Sequence, residues 1–138
     1  MTTTYFKNLI MGNVFKTKTS PALPTTYYIG LSRTAPNVSG GNVTEPSTSN
    51  TGYARVQLTA SNMGAPSGGT ISNIASISFP EATASWFTSS TPASHYVIYD
   101  AKTGGNLLLY NALTKTRVIE ANTVATIKQG SLHLQLTD

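Results

Sequence analysis

The sequence predicts a mainly β protein, an antiparallel β-sandwich or jelly-roll-like domain with one N-terminal α-helix. Three observations favour this fold class. Threonine, serine and asparagine, which suit strand surfaces and turns, recur through all 138 residues. From residue 25 onward, apolar residues tend to alternate with polar ones, as they do in half-buried strands. About eight such segments are separated by turn-forming residues, a spacing typical of sandwiches and jelly rolls.

The length of the chain sets its domain organisation. A chain of this size buries roughly 70% of its unfolded surface in a single core, and two independent cores would be hard to build. We therefore expect one domain over residues 1–138, with the helix in 1–18 and the sandwich in 25–138.

The N-terminal segment carries the helical pattern. Its apolar residues fall on one broad face at helical spacing, and they follow threonines that can cap a helix. A face this broad needs to pack against a sheet or a neighbouring subunit, and both remain open from the sequence. Five of the apolar side chains on this face are the candidate interface residues: Tyr5, Phe6, Leu9, Ile10 and Val14.

Pro21 and Pro24 end the helical pattern, and strands follow. The first two are predicted over 25–32 and 54–59. Between them, residues 36–52 are so rich in Gly, Ser, Asn and Pro that they can only form a loop. Loops of this length are uncommon without a function.

The second half of the chain contains the other strands. One is predicted over 70–79, where the apolar residues alternate approximately with serines until Pro80. The segments 95–100 and 107–110 flank a Gly-Gly-Asn turn and should pair as a hairpin. The first of these two strands should lie near the middle of a sheet. Three short strands end the chain, over 117–119, 123–127 and 132–136.

Composition excludes several classes of protein. Charged residues make up 10% of the chain, cysteine is absent, and the net charge of +4 comes from scattered basic residues. Disulfides, thiolate metal sites and thiol catalysis are therefore excluded, and specific nucleic-acid binding is not expected. No apolar run approaches the length of a membrane span, so membrane insertion is not expected either.

Catalytic chemistry has little support in the residue inventory. Any triad would have to recruit His95 or His133 and distant acids such as Asp100, Glu45 or Glu81. His95 and Asp100 bracket one predicted strand and face opposite sides by parity. We expect no catalytic residue, metal site or cofactor.

Three residues where strands meet loops are candidate ligand or loop contacts. Tyr53 and Trp86 could stack on sugars, although they could equally fill the core or its rim. Arg55 follows the 36–52 loop, and one hypothesis is that it holds this loop by binding its carbonyls or Glu45.

Several blocks of the sequence resemble a family of short phage tail-fibre-like proteins. The resemblance covers most of the chain and is carried by residues 28–36, Thr44-Glu45-Pro46, Gly52-Tyr53-Ala54-Arg55-Val56, Ile77-Ser78-Phe79-Pro80-Glu81-Ala82-Thr83, Ile98-Tyr99-Asp100-Ala101, Gly104-Gly105-Asn106-Leu107-Leu108, Tyr110 and Ala112-Leu113. It implies a virion structural protein of tail-fibre or baseplate type, made in the cytoplasm of the host bacterium, with no enzymatic activity.

A virion part of this kind acts through contacts between subunits. Few charges and many hydroxyl side chains suit surfaces that join other subunits without burying ions. Virion parts obey rotational symmetry, so we expect a homo-oligomer, a trimer first, that also contacts other virion proteins. Two alternatives stay open: a carbohydrate-binding module for a host surface glycan, and a capsid decoration protein.

Overall fold

A computed structural model describes residues 1–16 and 21–137. With 32% of residues in strands and 12% in helical segments, the chain is mainly β, and the predicted fold class is confirmed. The elements in chain order are α1 (Thr4–Met11), β1 (Tyr27–Ser32), β2 (Val56–Leu58), β3 (Thr70–Ser72), β4 (Ile77–Ser78), β5 (Ala93–Tyr99), β6 (Leu107–Arg117), β7 (Thr126–Ile127) and β8 (His133–Gln135).

The strands form one larger sheet and two small ones. The four-stranded sheet has the order β2-β1-β5-β6, while β3 pairs with β8 and β4 pairs with β7. All of these pairs are antiparallel. The main sheet packs one face against the small sheets and the loops around them, so the molecule has two layers in outline, as in a sandwich.

The core lies under the two central strands. Ile29 of β1 and Ile98 of β5 are fully buried and belong to the largest apolar cluster. Val97 and Tyr99 point to the opposite face and form a second cluster with two residues of β6. The central position of β5 and the division of its side chains between two faces therefore agree with the sequence pattern.

The predicted hairpin is formed by β5 and β6. Its turn is fixed by Asp100, whose carboxylate accepts hydrogen bonds from the backbone N–H of Asn106 at 2.7 Å and from the side-chain amide of Asn106 at 2.9 Å. Gly105 has φ +75°, a conformation that favours glycine. A side chain at this position would also come within 2.7 Å of Cβ of Ala101.

The far half of β6 departs from a regular hairpin. Ala93 pairs with Arg117 and His95 pairs with Ala112, so a single residue of β5, Ser94, lies opposite residues 113–116 of β6. This is a large β-bulge, which bends a strand and interrupts its pairing. The strand also runs to Arg117, well beyond the predicted end at 110.

The helix begins after a capping threonine, as predicted, but the bounds 1–18 are wrong. Residues 1–3 are extended, and Thr2 forms a bridge with Leu109 at the outer edge of β6. The helix begins at Thr4, because the hydroxyl of Thr3 accepts a hydrogen bond from the N–H of Phe6 and caps it. After Met11 the chain continues as a π-helical turn over Gly12–Lys16, and residues 17 and 18 lie outside the described part of the chain.

The predicted strand over 70–79 is also wrong, because two strands in different sheets occupy it. Asn73 lies between them and is 1% exposed. Its side-chain amide donates to the carbonyls of Ala75 and Lys128, and its amide oxygen accepts from the N–H of Leu132, each at 2.9 Å. These bonds turn the chain out of one strand and into another.

The other predicted strands exist with different bounds. The segments 25–32, 54–59, 123–127 and 132–136 contain the shorter β1, β2, β7 and β8. The segment 117–119 is not a separate strand, because Arg117 ends β6 and Ile119 forms an isolated bridge with Phe87. Within the described residues, every helix is too short or too polar to span a lipid bilayer.

Candidate functional site

The N-terminal helix is held on the edge of the main sheet by its first residues. The hydroxyl of Thr3, which is fully buried, donates to the carbonyl of Leu107 at 2.7 Å. The backbone N–H of Thr3 donates to the carbonyl of Leu108 at 2.9 Å, and the N–H of Tyr110 donates to the carbonyl of Met1. These hydrogen bonds hold the start of the helix against β6, in addition to the packing of its apolar face.

The candidate interface residues of the helix separate into two groups. Phe6 and Leu9 are buried and form a cluster with Leu108, with Ile10 packed beside them. These side chains are occupied by the chain's own sheet, so an interface through Phe6 and Leu9 would require the helix to leave that sheet. Tyr5 and Val14 are 40% and 58% exposed and remain accessible to a partner.

Two further apolar residues of the same segment are exposed, and the sequence reasoning did not select them for the interface. Met11 is 56% exposed and Phe15 is 77% exposed. We call the four exposed residues Tyr5, Met11, Val14 and Phe15 the outer helix patch. The helical spacing that predicted one broad apolar face could have found them, but it could not say which part of that face the sheet covers.

An apolar groove lies between α1, the main sheet and the β3–β8 pair. Its volume is about 600 Å³, and its walls include Phe6, Tyr27, Leu58, Met63, Leu109 and Leu134. None of the described residues that line it is charged. Leu136, at its rim, is 59% exposed. The groove and the outer helix patch are both exposed apolar surfaces, of the kind that marks interaction sites.

A second groove lies where the far half of β6 faces β7 and the segment before β8. Its volume is about 530 Å³, and Lys115, Arg117, Lys128 and His133 line it; the described part of its lining contains no acidic residue. We call it the basic groove. Its basic residues are far apart in the sequence, and the fold brings them together in one groove.

Of the three candidate contact residues, Arg55 lies beside the turn between β5 and β6, and Tyr53 and Trp86 lie in the main apolar core. The guanidinium of Arg55 binds the carboxylate of Glu45, with Nε 3.0 Å from Oε1 and Nη2 2.8 Å from Oε2. The hydroxyl of Tyr53 donates to Oε1 of Glu45 at 2.6 Å and accepts from the N–H of Leu31 at 3.0 Å. We call Glu45, Tyr53 and Arg55 the clamp.

Arg55 also holds the hairpin turn. Its Nη1 donates to the carbonyls of Ala101 and Gly104 at 2.9 and 2.7 Å, and its guanidinium carbon lies 3.5 Å from the centre of the Tyr99 ring. The carbonyls that Arg55 binds therefore belong to the turn after β5, and in the 36–52 loop it binds Glu45. The clamp joins two distant loops, and its side chains are largely buried.

Burial determines the state of Tyr53. Desolvation, and then the negative charge of Glu45 beside it, raise the pKa of Tyr53 far above its ordinary value. The phenol therefore stays protonated, and it donates its hydrogen to the carboxylate. Such a residue is suited to holding a loop in place.

Tyr53 and Trp86 do not present a ring to solvent, because they are 4% and 5% exposed. Their ring centres are 5.1 Å apart in an edge-to-face contact, and Phe79 packs against both. The indole N–H of Trp86 donates to the carbonyl of Thr51 at 2.7 Å. As arranged here, the two aromatics belong to the core and hold the loop, which leaves no sugar-stacking face at these positions.

The potential catalytic groups of the described residues are engaged separately. The Nδ1 atoms of His95 and His133 lie 2.8 Å from the hydroxyls of Ser94 and Ser72, respectively. Burial lowers the pKa of His95, which favours its neutral form. Asp100 fixes its turn, as described above. No three His, Asp or Glu residues in the described segments are grouped as metal ligands would be.

The sequence matches a known protein family over nearly its whole length. The model of a family described as podophage GP4 fiber I protein gp80 matches residues 1–135, nearly the whole chain. Among curated proteins, none matches the sequence.

Proposed function

This chain belongs to the podophage GP4 fiber I protein gp80 family, and we propose that it is a fibre module that works by joining subunits. The resemblance to phage tail-fibre-like proteins is thereby confirmed. The family is one of phage fibre proteins, so the chain has a structural role in a phage virion. Our proposal adds that its assembly contacts are made by the outer helix patch and the apolar groove.

The observation that carries this proposal is the exposed apolar surface of the outer helix patch and the apolar groove. Burial of apolar surface is the main favourable contribution to stable association, and exposed patches of this kind are costly in an isolated protein. Copies of the same chain are the simplest partners, because symmetric homo-oligomers are the rule for such assemblies. We propose a homo-oligomer, with a trimer favoured, that also binds other virion proteins.

Two features support a role without catalysis. Each histidine, Glu45 and Asp100 has a structural partner in its own neighbourhood. The aromatic residues that would define a glycan module, Tyr53 and Trp86, are used in the core. We therefore favour subunit contacts over the glycan-binding and capsid-decoration alternatives.

Light scattering on the purified chain at high micromolar concentration tests the proposal. We expect a mass three times that of the single chain. Replacing Val14 and Phe15 by glutamate should shift the mass towards the monomer, because two charges would have to be buried in the contact. Replacing Val38 and Ile74, which are 41% and 54% exposed, by glutamate is the matched control and should leave the mass unchanged.

A strict monomer for the unchanged protein under these conditions would contradict homo-oligomer formation. Equal dissociation by both double variants would contradict the assignment of the contact to the helix. Positive binding on a glycan array by the unchanged protein, with no self-association, would favour the glycan-binding alternative instead.

A further inference from the structure

The bulge of β6 leaves a length of strand edge without a neighbour. Residues 113–116 have no paired residues on β5. On the outer edge, residues 1–3 cover β6 only as far as Tyr110. Beyond that point, no strand in the described ranges 1–16 and 21–137 lies beside β6. Main-chain N–H and C=O groups at such an edge are bound by water or by an added strand.

The charge beside this edge has one sign. Lys115, Arg117, Lys128 and His133 line the basic groove, and among residues 1–16 and 21–137 no carboxylate lines it. None of the three Lys and Arg side chains has an ion-pair partner among the described residues. Two of the chain's five acidic residues are already engaged, Glu45 by Arg55 and Asp100 by Asn106.

This charge also selects against pairing of the edge with itself. Two copies joined through residues 113–117 would place Lys115 and Arg117 of one chain near the same residues of the other. Lysine, arginine and bulges at an edge are the features by which β proteins avoid such pairing. An acidic partner would instead neutralise the charge.

The floor of the groove is apolar. Leu113 and Ile127 are half-buried and Leu132 is buried, and all three line it. Leu113, Lys115 and Arg117 stand at alternate positions of β6. An added strand that presents apolar and acidic side chains in turn to that side could therefore contact both the floor and the basic rim. A sugar chain has no ladder of amide groups to match a strand edge, so the edge favours a polypeptide.

We propose that the far half of β6 and the basic groove bind an extended acidic segment of another polypeptide, which adds to the sheet as a strand. Main-chain hydrogen bonds would supply affinity, and the basic rim would select acidic sequences. This inference extends the proposed assembly function from copies of the chain to a second class of partner. Peptide binding to the isolated chain tests this inference, whereas light scattering tests self-association. The two proposals can therefore fail separately.

The probe is a short, blocked peptide in which valine and glutamate take turns on one side of the extended strand and threonine fills the other side. Binding is followed by nuclear magnetic resonance of the labelled protein. We expect the amide signals of residues 113–117 to shift. Replacing Lys115 and Arg117 by glutamine should weaken binding roughly tenfold, since exposed charge pairs contribute modestly each. Replacing Arg33 and Lys102, two exposed basic residues outside the groove, by glutamine is the control with equal charge change and should alter binding less than about twofold.

Two further probes separate strand addition from attraction of charge alone. The same peptide with alternate amides N-methylated keeps its charge but cannot pair with an edge, and it should bind at least about tenfold more weakly. An oligogalacturonate of matched charge should not shift residues 113–116. Equal binding of the N-methylated peptide, equal binding of the oligosaccharide at the same amides, or no shift with the glutamate–valine peptide at saturating concentration would each overturn the proposal.

Discussion

The clamp buries charged side chains, whereas the helix side of this molecule exposes apolar ones. At the clamp, Arg55 and Glu45 are charged yet largely buried, and they are bound to each other and to two loops. On the helix side, Met11 and Phe15 are apolar yet exposed. Polar groups that are buried with all their partners fix a structure, whereas apolar groups left in water provide free energy for association. We therefore assign stability to the clamp and binding to the helix side.

Breaking the clamp should give the largest loss of stability. Arg55→Ala leaves the carboxylate of Glu45 without its cation and the carbonyls of Ala101 and Gly104 without their donor. We expect the free energy of unfolding to fall by about 3 kcal/mol, the cost of removing one partner of a largely buried ion pair. Urea denaturation measures it, with Arg33→Ala, at an exposed arginine, as the control.

A loss below about 0.5 kcal/mol, the range of ordinary surface substitutions, would contradict the assignment of stability to the clamp. The loop pair would then be held by the aromatic core alone.

A smaller loss should follow from filling the space beside the clamp. A Cβ at Gly30 would lie 2.7 Å from the hydroxyl oxygen of Tyr53. Gly30→Ala should therefore destabilise the protein by about 1–3 kcal/mol through overpacking. Gly41→Ala is the matched control, since its new Cβ would come no closer than 3.4 Å to Asn37. Thermal unfolding of both variants checks the difference, and equal melting temperatures would argue against tight packing at the clamp.

Removing one hydroxyl from the clamp should reduce the free energy of unfolding by as much as Gly30→Ala or less. It should also change the pH dependence of stability. Tyr53→Phe leaves the buried N–H of Leu31 without its acceptor, at a cost of about 1–3 kcal/mol. The pKa of Tyr53 is raised in the folded state, so its contribution is complete below the ordinary value of 10.0 and is lost as pH rises above it.

The measurement is urea denaturation between neutral pH and the alkaline range. Above pH 10, the wild type should lose stability more steeply than Tyr53→Phe. Tyr28→Phe, which removes a phenol for which the structure describes no hydrogen bond, is the control variant. Identical slopes for all three proteins would contradict a protonated, buried Tyr53.

The helix side should show the smallest effect on folding. Replacing Val14 and Phe15 by serine should change the free energy of unfolding of the dilute monomer by less than about 0.5 kcal/mol, because both side chains are already exposed. A large loss in dilute monomer would mean that these residues support the fold, and the division between stability and binding would be wrong.

The hairpin and its central strand could be predicted because their information is local. Alternation over 95–100, a turn with two glycines, and a second apolar run suffice to define β5 and the start of β6. The break at Asn73 could not be predicted, because its partners are Lys128 and Leu132, which are distant in the sequence. The residues next to an asparagine in an alternating segment are the same whether its side chain faces water or turns the chain, so they do not distinguish the two cases.

The candidate site was predictable only in part. Helical spacing identified the apolar segment, but burial separates Phe6 and Leu9 from Tyr5 and Val14, and the position of β6 decides that burial. The basic groove gave no sequence signal, since Lys128 and His133 reach Lys115 only through the pairing of distant strands. The expectation that Arg55 contacts Glu45 needed only loop proximity, and that contact is present.

Hydrogen exchange of the chain, isolated and assembled in intact phage particles, tests the division between the two regions most directly. We expect assembly to slow exchange at residues 4–16 and, where a second partner adds to the sheet, at 113–117. Exchange around Glu45, Tyr53 and Arg55 should not change, because their bonds exist in the isolated chain. New protection confined to the clamp, or unchanged exchange at residues 4–16 on assembly, would contradict the account.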